Sequence, residues 1–458
     1  MLSNLLTDAA VVAVVLGVMI FVHELGHFMA AKWFGVRVLT FSLGFGKRLF
    51  GFKKGDTDYR VSLLPLGGYV KMAGEEPSDN VITGSGNPEA SDDAPAAPAD
   101  DPGKFLSKPR WQRFVVIAMG PTMNIAMALA VLTCLYRYHF QKPAYEEQPA
   151  RVGALEPGSP AAEAGLMPGD LILRLDGIRN PKWEDLVPKV LTSAGQTIPV
   201  EVLRDGRPLE LKITPKATKQ DQVGYIGVDP YQPAIIDAVE PDLPAARAGL
   251  RPGDQIVAVN GQKAYSYPSV QQEIQTVNGK EVDLTVERQG KEFHVRLTPI
   301  YTEVPGGKIW RIGVRFPNDY VAREVPWSQA FASAVDFNVR NSLLTFDVLG
   351  KILTRHMSPR SLSGPIGIAQ ISGAAFRAGF PELLMIVSFI SLQLGIFNLV
   401  PIPILDGGAI LLLLIETAIR RDLSIAFKER FLQVGMAFLL ILAAFLVYND
   451  IVKTLNSY

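Results

Sequence analysis

Four apolar segments, each long enough to cross a bilayer, decide most of what this chain can fold into. They run over 9–34, 114–136, 383–419 and 431–448; a transmembrane helix needs about 20 predominantly apolar residues. Lipid offers no partner for backbone N–H and C=O groups, so segments of this length span as helices. The third is too long for one plain span and is interrupted by Asn398, Pro401, Pro403, Asp406, Gly407 and Gly408. It reads as a helix broken at depth. A hydrophobic fraction of 48% over 458 residues leaves room for soluble parts between the spans. The N-terminal MLSNLLTD lacks a basic stretch, and its apolar run carries on into a histidine pair. The first span is therefore expected to be retained and not removed as a signal peptide.

Charge around the spans sets the expected topology. Lys32, Lys47, Arg48, Lys53, Lys54 and Arg60 end or follow the first span, and "IRRDLSIAFKERF" joins the last two. Positive loops stay in the cytoplasm, which puts both termini and the large segment between spans two and three outside. Net charge is zero, so no bulk electrostatic term draws the chain to nucleic acid, and no such partner is expected. The single cysteine, Cys134, excludes an intrachain disulfide and a multi-cysteine zinc site.

Alternating apolar residues broken by Gly44, Gly46, Gly67 and Gly68 predict β-hairpins over 41–72. The stretch 75–103 has eight acidic residues, no basic ones and an Ala/Pro/Asp/Ser bias. It cannot bury a core, so 73–104 is expected to be disordered linker. In the outer segment "PAAEAGLMPGDLILRLDG" recurs 84 residues later as "PAARAGLRPGDQIVAVNG", with Gly206 and Gly290 in register. That spacing predicts a duplicated domain, over 145–222 and 223–318. Each copy reads as a short helix, a Pro-Gly-Asp turn, a strand and a hairpin turn. The pair resembles tandem PDZ domains of the kind found in bacterial proteases, mixed α/β and mainly β. Such domains take extended peptides, C-termini above all, as an added strand. "GYIGV" at 224–228 fits a peptide-end loop or an ordinary strand equally well.

The first span contains "VHELGHFMAA". A charged group at bilayer depth costs at least about 2.5 kcal/mol, so His23, Glu24 and His27 call for compensation. Four residues apart on a helix, His23 and His27 share one face, which lets two nitrogens reach one zinc. Glu24 can then take a proton from water, the His-Glu-x-x-His arrangement of metallopeptidases. A catalytic site needs a third protein ligand. Asp406, the one acid deep in span three, is the candidate; Glu416 is the rival but lies near the basic loop. His139, His294 and His356 suit surface or strand roles. His27 lies seven residues from the end of the span, or about 10 Å at 1.5 Å per residue, so the chemistry is expected inside the membrane on its cytoplasmic side.

Together "HELGH", "LGFG", "PLGGYVKM", "GPTMN", "LSGPIGI" and "NLVPIPILDGG" resemble the site-2 protease family of intramembrane zinc metalloproteases, over nearly the whole chain. The acidic linker has no place in that pattern. The resemblance implies a bacterial inner-membrane enzyme with one Zn2+ per chain, ligated by His23, His27 and Asp406, with Glu24 as general base. It implies that Asn398, Pro401 and Pro403 hold substrate backbone beside the metal, and that 41–72 is a membrane-associated sheet presenting an unwound substrate strand. Substrates would be single-pass membrane proteins already trimmed outside, of the anti-sigma-factor or remnant-signal-peptide type, with the PDZ pair as an outer filter. The expected layout is span one with its zinc motif at 1–40, span two at 105–140, interfacial helices at 319–375, the broken third span at 376–422 and the fourth at 429–458. Membrane lipid is the surrounding partner. A scaffold with a structural zinc would want four protein ligands, and three are found. A zinc transporter would use intramembrane His and acid but needs neither Glu24 nor peptide-binding domains.

Overall fold

The computed structural model describes residues 2–74, 101–138, 140–219, 221–304, 307–316, 320–323 and 325–456. The chain divides into two compact units. One holds Met1–Phe140, Glu324–Phe346 and Leu362–Tyr458; the other holds Gln141–Arg323 and Asp347–Ser361.

In the first unit, α1 (Leu2–Trp33), α2 (Arg110–Tyr138), α5 (Phe380–Leu399) and α7 (Ile425–Asn456) are long and apolar enough to cross a membrane. The third apolar segment is broken, as its prolines and glycines require. α5 stops at Leu399, and α6 (Asp406–Ile419) restarts after a six-residue loop. At 14 residues, or about 21 Å, α6 is a half-span. α3 (Trp327–Leu353) buries Ala330 and Ala334 and leaves Trp327, Phe331, Val339 and Leu343 exposed. Its small residues let it lie close against Leu132 and Leu135 of α2, and its large apolar ones suit lipid. α4 (Pro365–Ala378) explains "LSGPIGI". The buried Asp450 of α7 accepts from the backbone N–H groups of Gly364, Ile366 and Gly367 at 2.9–3.0 Å, which supplies donors at a helix start that otherwise go unpaired. At the other end of α4, Arg377 pairs with buried Asp8 of α1.

Between α1 and α2 lie β1 (Val38–Lys54) and β2 (Thr57–Met72), paired antiparallel. Both strands bend, so Leu43 is partnered by Gly68 and by Val61. Run 38–45 is therefore interior, 64–72 lies at one edge and 48–54 at the other. A single folded sheet replaces the simple hairpins expected over 41–72, because the bends let each strand pair twice. The acidic stretch 75–100 lies outside the described residues. Its flanks are built into the fold: Ala73 N–H donates to Arg37 C=O at 2.8 Å, Arg37 N–H to Gly103 C=O at 2.9 Å, and the Arg37 side chain pairs with Asp101. The expected linker 73–104 is thus too wide at both ends.

The second unit contains both sequence repeats, each around its own apolar core. Ile172, Val200, Val202 and Val190 are among the first core; Ile256, Leu284, Val286 and Ile274 occupy the matching places in the second. The boundary expected at 222/223 moves. Gly224–Tyr225 pairs with Lys216–Ala217, Val228–Pro230 pairs with Val152–Leu155, and Ile226 sits in the first core. Strands of two and three residues are too short to be seen as periodicity. Each Pro-Gly-Asp turn has a specific purpose. Asp170 is buried and bonds Arg204 at 2.7 and 2.8 Å while accepting from Met167 N–H at 2.9 Å. Asp254 repeats this with Arg288 at 2.6 and 2.8 Å and with Arg251 N–H at 2.8 Å.

Candidate metal centre

His23 and His27 face α2 one helical turn apart. The approach depends on two glycines. A Cβ on Gly26 would lie 2.4 Å from the Met119 carbonyl oxygen, and one on Gly120 would lie 2.3 Å from His27 Nε2. Both distances are shorter than non-bonded atoms tolerate, so any larger residue would drive the helices apart or push the imidazoles aside. α2 also orients the rings. His27 Nδ1 donates to the Val116 carbonyl at 2.8 Å, and His23 Nδ1 lies 3.2 Å from Asn124 Nδ2. Pro121, inside α2, has no N–H for the Ile117 carbonyl and loosens the helix beside that contact.

The break in the third segment delivers the third group. Gly407 and Gly408 pack under the loop, against the carbonyls of Leu399, Val400 and Ile402. Ile404 takes a φ of 81°, a conformation that strains a β-branched residue. The chain then enters α6 with Asp406 in its first turn, where the helix dipole favours a carboxylate. Asp406 Oδ2 lies 3.0 Å from His23 Nε2, Oδ1 lies 3.6 Å from His27 Nε2, and the two Nε2 atoms are 3.2 Å apart.

These separations fit zinc. Ligands about 2.0–2.1 Å from a tetrahedral ion stand about 3.3 Å from one another, and the three measured edges bracket that value. Two imidazoles and a carboxylate leave the fourth position open, as catalytic zinc sites do. Among the described residues this is the one cluster of three or more His, Cys, Asp or Glu placed to share an ion. Glu416 is not in it. Its buried carboxylate accepts from Leu423 N–H at 3.1 Å and pairs with Lys428 at 3.0 Å, tying α6 to α7. His294 bonds Asp283 and His356 bonds Thr354 in the other unit. His139 lies outside the described residues.

Glu24 stands beside the cluster, near the Val70 backbone on the edge run of the sheet. Asn398 occupies the last turn of α5, Pro401 is exposed in the loop, and Pro403 packs against Gly435 of α7. Val116, Gly120 and Asn124 contribute to the site without standing out in the sequence as its members. Asn124 had a signal, a carboxamide at depth in an apolar span. A backbone carbonyl such as that of Val116 has none.

The model described as Peptidase family M50 matches residues 11–442. The Regulator of sigma-E protease of Escherichia coli (strain K12) is 33% identical over 465 residues, covering 98% of this chain and 99% of the relative. The corresponding Salmonella typhi protein is 34% identical over 469 residues, with coverage of 98% and 99%. A Neisseria meningitidis protein named as a zinc metalloprotease is 31% identical over 455 residues, with coverage of 96% and 97%.

Proposed function

The chain belongs to peptidase family M50, the site-2 proteases, and from that membership we propose that it cuts transmembrane segments of single-pass proteins inside the bilayer. It is a zinc metalloprotease with four membrane-length helices. The observation that carries the reading is the meeting of His23, His27 and Asp406 beside Glu24, at the depth where one span is broken.

His23, His27 and Asp406 hold one zinc per chain. Bound there, the ion supplies a Lewis acid that polarises the scissile carbonyl and makes water easier to deprotonate. Glu24 takes the proton from the attacking water and passes it to the leaving amine nitrogen. A helical substrate hides its carbonyls in hydrogen bonds, so it must unwind before attack. Run 64–72 is an edge beside the site and can take the unwound segment as an added strand. Asn398, Pro401 and Pro403 line the other side of that strand.

The two repeats are PDZ domains on the outer, periplasmic face of an inner membrane, and both termini share that side. Basic loops at 47–60 and 420–430 support this orientation. The pair admits substrates whose ectodomain is already trimmed and offers grooves for peptide ends. An anti-sigma factor in an envelope stress response, or a remnant signal peptide, has the required form. The test is cleavage of a single-pass model substrate by purified protein, wild type against Glu24→Gln. A cut within the span that the variant loses while keeping its zinc supports the reading. Equal cleavage by both proteins sinks it.

A further inference from the structure

Asn124 is fully buried in α2, and its side-chain Oδ1 has no hydrogen-bond partner among the described residues. The other end of the same amide, Nδ2, stands 3.2 Å from His23 Nδ1. In that sense the amide donates to Nδ1, which leaves the ring proton on Nε2, pointing at Asp406 Oδ2 3.0 Å away. The arrangement is self-consistent without a metal. A histidine that ligates through Nε2 instead carries its proton on Nδ1 and needs an acceptor there. The oxygen and nitrogen of a carboxamide occupy equivalent positions, and only the hydrogen-bond network tells them apart. A half-turn of the Asn124 amide brings the partnerless Oδ1 to His23 Nδ1. The companion ligand is already served this way from the same helix, by the Val116 carbonyl on His27 Nδ1 at 2.8 Å.

We propose that Asn124 is a positioning residue for the metal centre: its Oδ1 accepts the His23 Nδ1 proton and so turns the Nε2 lone pair toward the ion. The proposal rests on the zinc reading of His23, His27 and Asp406. It also accounts for an amide at this place. A carboxamide can serve either tautomer of His23, donating when the site holds a proton and accepting when it holds a metal. "GPTMN" is then one device, with Gly120 making room for the imidazoles and Asn124 aiming one of them.

The test measures zinc retained by purified full-length protein against a chelator of known affinity, for wild type, Asn124→Leu and Asn124→Asp. Outer-shell partners of this kind are worth about 10–100-fold in metal affinity. The leucine variant, apolar and of similar size, should lose zinc by a factor in that range. The aspartate variant, acceptor-only, should stay near wild type. A merely structural role for a buried polar side chain would not spare the aspartate variant, so its failure together with leucine overturns the proposal. So does a leucine variant that holds zinc like wild type, with the zinc site itself intact. Wild-type protein that binds no zinc overturns the site reading along with this inference.

Discussion

Buried carboxylates are completed differently in the two parts of this molecule. In the repeats, Asp170 and Asp254 are each closed by an arginine 34 residues on, Arg204 and Arg288, which also reach the Gly165 and Gly249 carbonyls at 2.7 and 2.9 Å. The membrane unit closes Asp8 with Arg377 and Glu416 with Lys428, and gives buried Asp450 the backbone N–H groups of Gly364, Ile366 and Gly367. Asp406 departs from the pattern. Among the described residues its ion-pair partners are the two histidines, which are also the side chains best suited to ligate a metal through a lone pair. Where the chain needs a stable acid it encodes a cation or a set of backbone donors; at Asp406 it leaves the positive charge to be supplied from outside. Unpaired burial of a charge is expensive, so the exception marks the site.

The comparison can be broken most directly at Asp406 and Glu416, two acids of one helix. Asp406→Asn should lose bound zinc and all measurable cleavage. Glu416→Gln should keep both, since its carboxylate serves Lys428 and Leu423. Zinc content and model-substrate cleavage on the two purified variants decide it. If Asp406→Asn keeps zinc, the external-charge argument fails. A smaller effect is expected in the repeats. Removing the Asp170 carboxylate deletes charged hydrogen bonds worth about 1.5–3 kcal/mol and strands the Arg204 guanidinium. Asp170→Ala should therefore destabilise the first repeat by that order, read as faster amide exchange across 150–213 in the full chain, with zinc content unchanged. An equal loss of zinc would mean that the two kinds of acid are not independent.

Much of this was legible, and the reasons differ by element. Helical spans show in composition alone, because a bilayer demands long apolar runs. His23, Glu24 and His27 show because polar groups are costly there, and the break before Asp406 shows because proline and glycine punctuate it. The repeat shows at an 84-residue offset. Its clamp was visible in the same offset, since Arg204 and Arg288 are also 84 apart, but nothing local to an arginine says which acid it will reach. The double pairing of β1 and β2 and the transfer of Gly224–Pro230 to the first repeat depend on long-range partners of short strands. The Val116 carbonyl belongs to the backbone, which no residue type encodes. What the sequence hid was therefore the support of the site more than its members.

The smallest expected effect sharpens the contrast through pH. Hydrogen bonds from Arg288 hold the Asp254 carboxyl below the usual carboxylate range, against burial, which pushes the other way. A group whose folded pKa lies below its unfolded value, about 3.9 for aspartate, stabilises the fold above that value. The contribution fades as pH falls through the folded pKa, when both states bind the proton. Stability of the second repeat should thus be flat from neutral pH down to about 4 and should decline below it. Amide exchange across 255–297, with the intrinsic exchange rate divided out, measures this over the acid range. Arg288→Leu removes the largest influence that lowers the pKa and leaves the Arg251 N–H to oppose burial. The folded pKa then rises toward the unfolded value, so the loss of stability below about pH 4 should shrink. An unchanged acid profile in that variant would show that the arginine does not complete the buried acid, and the distinction between the repeats and the metal centre would lose its footing.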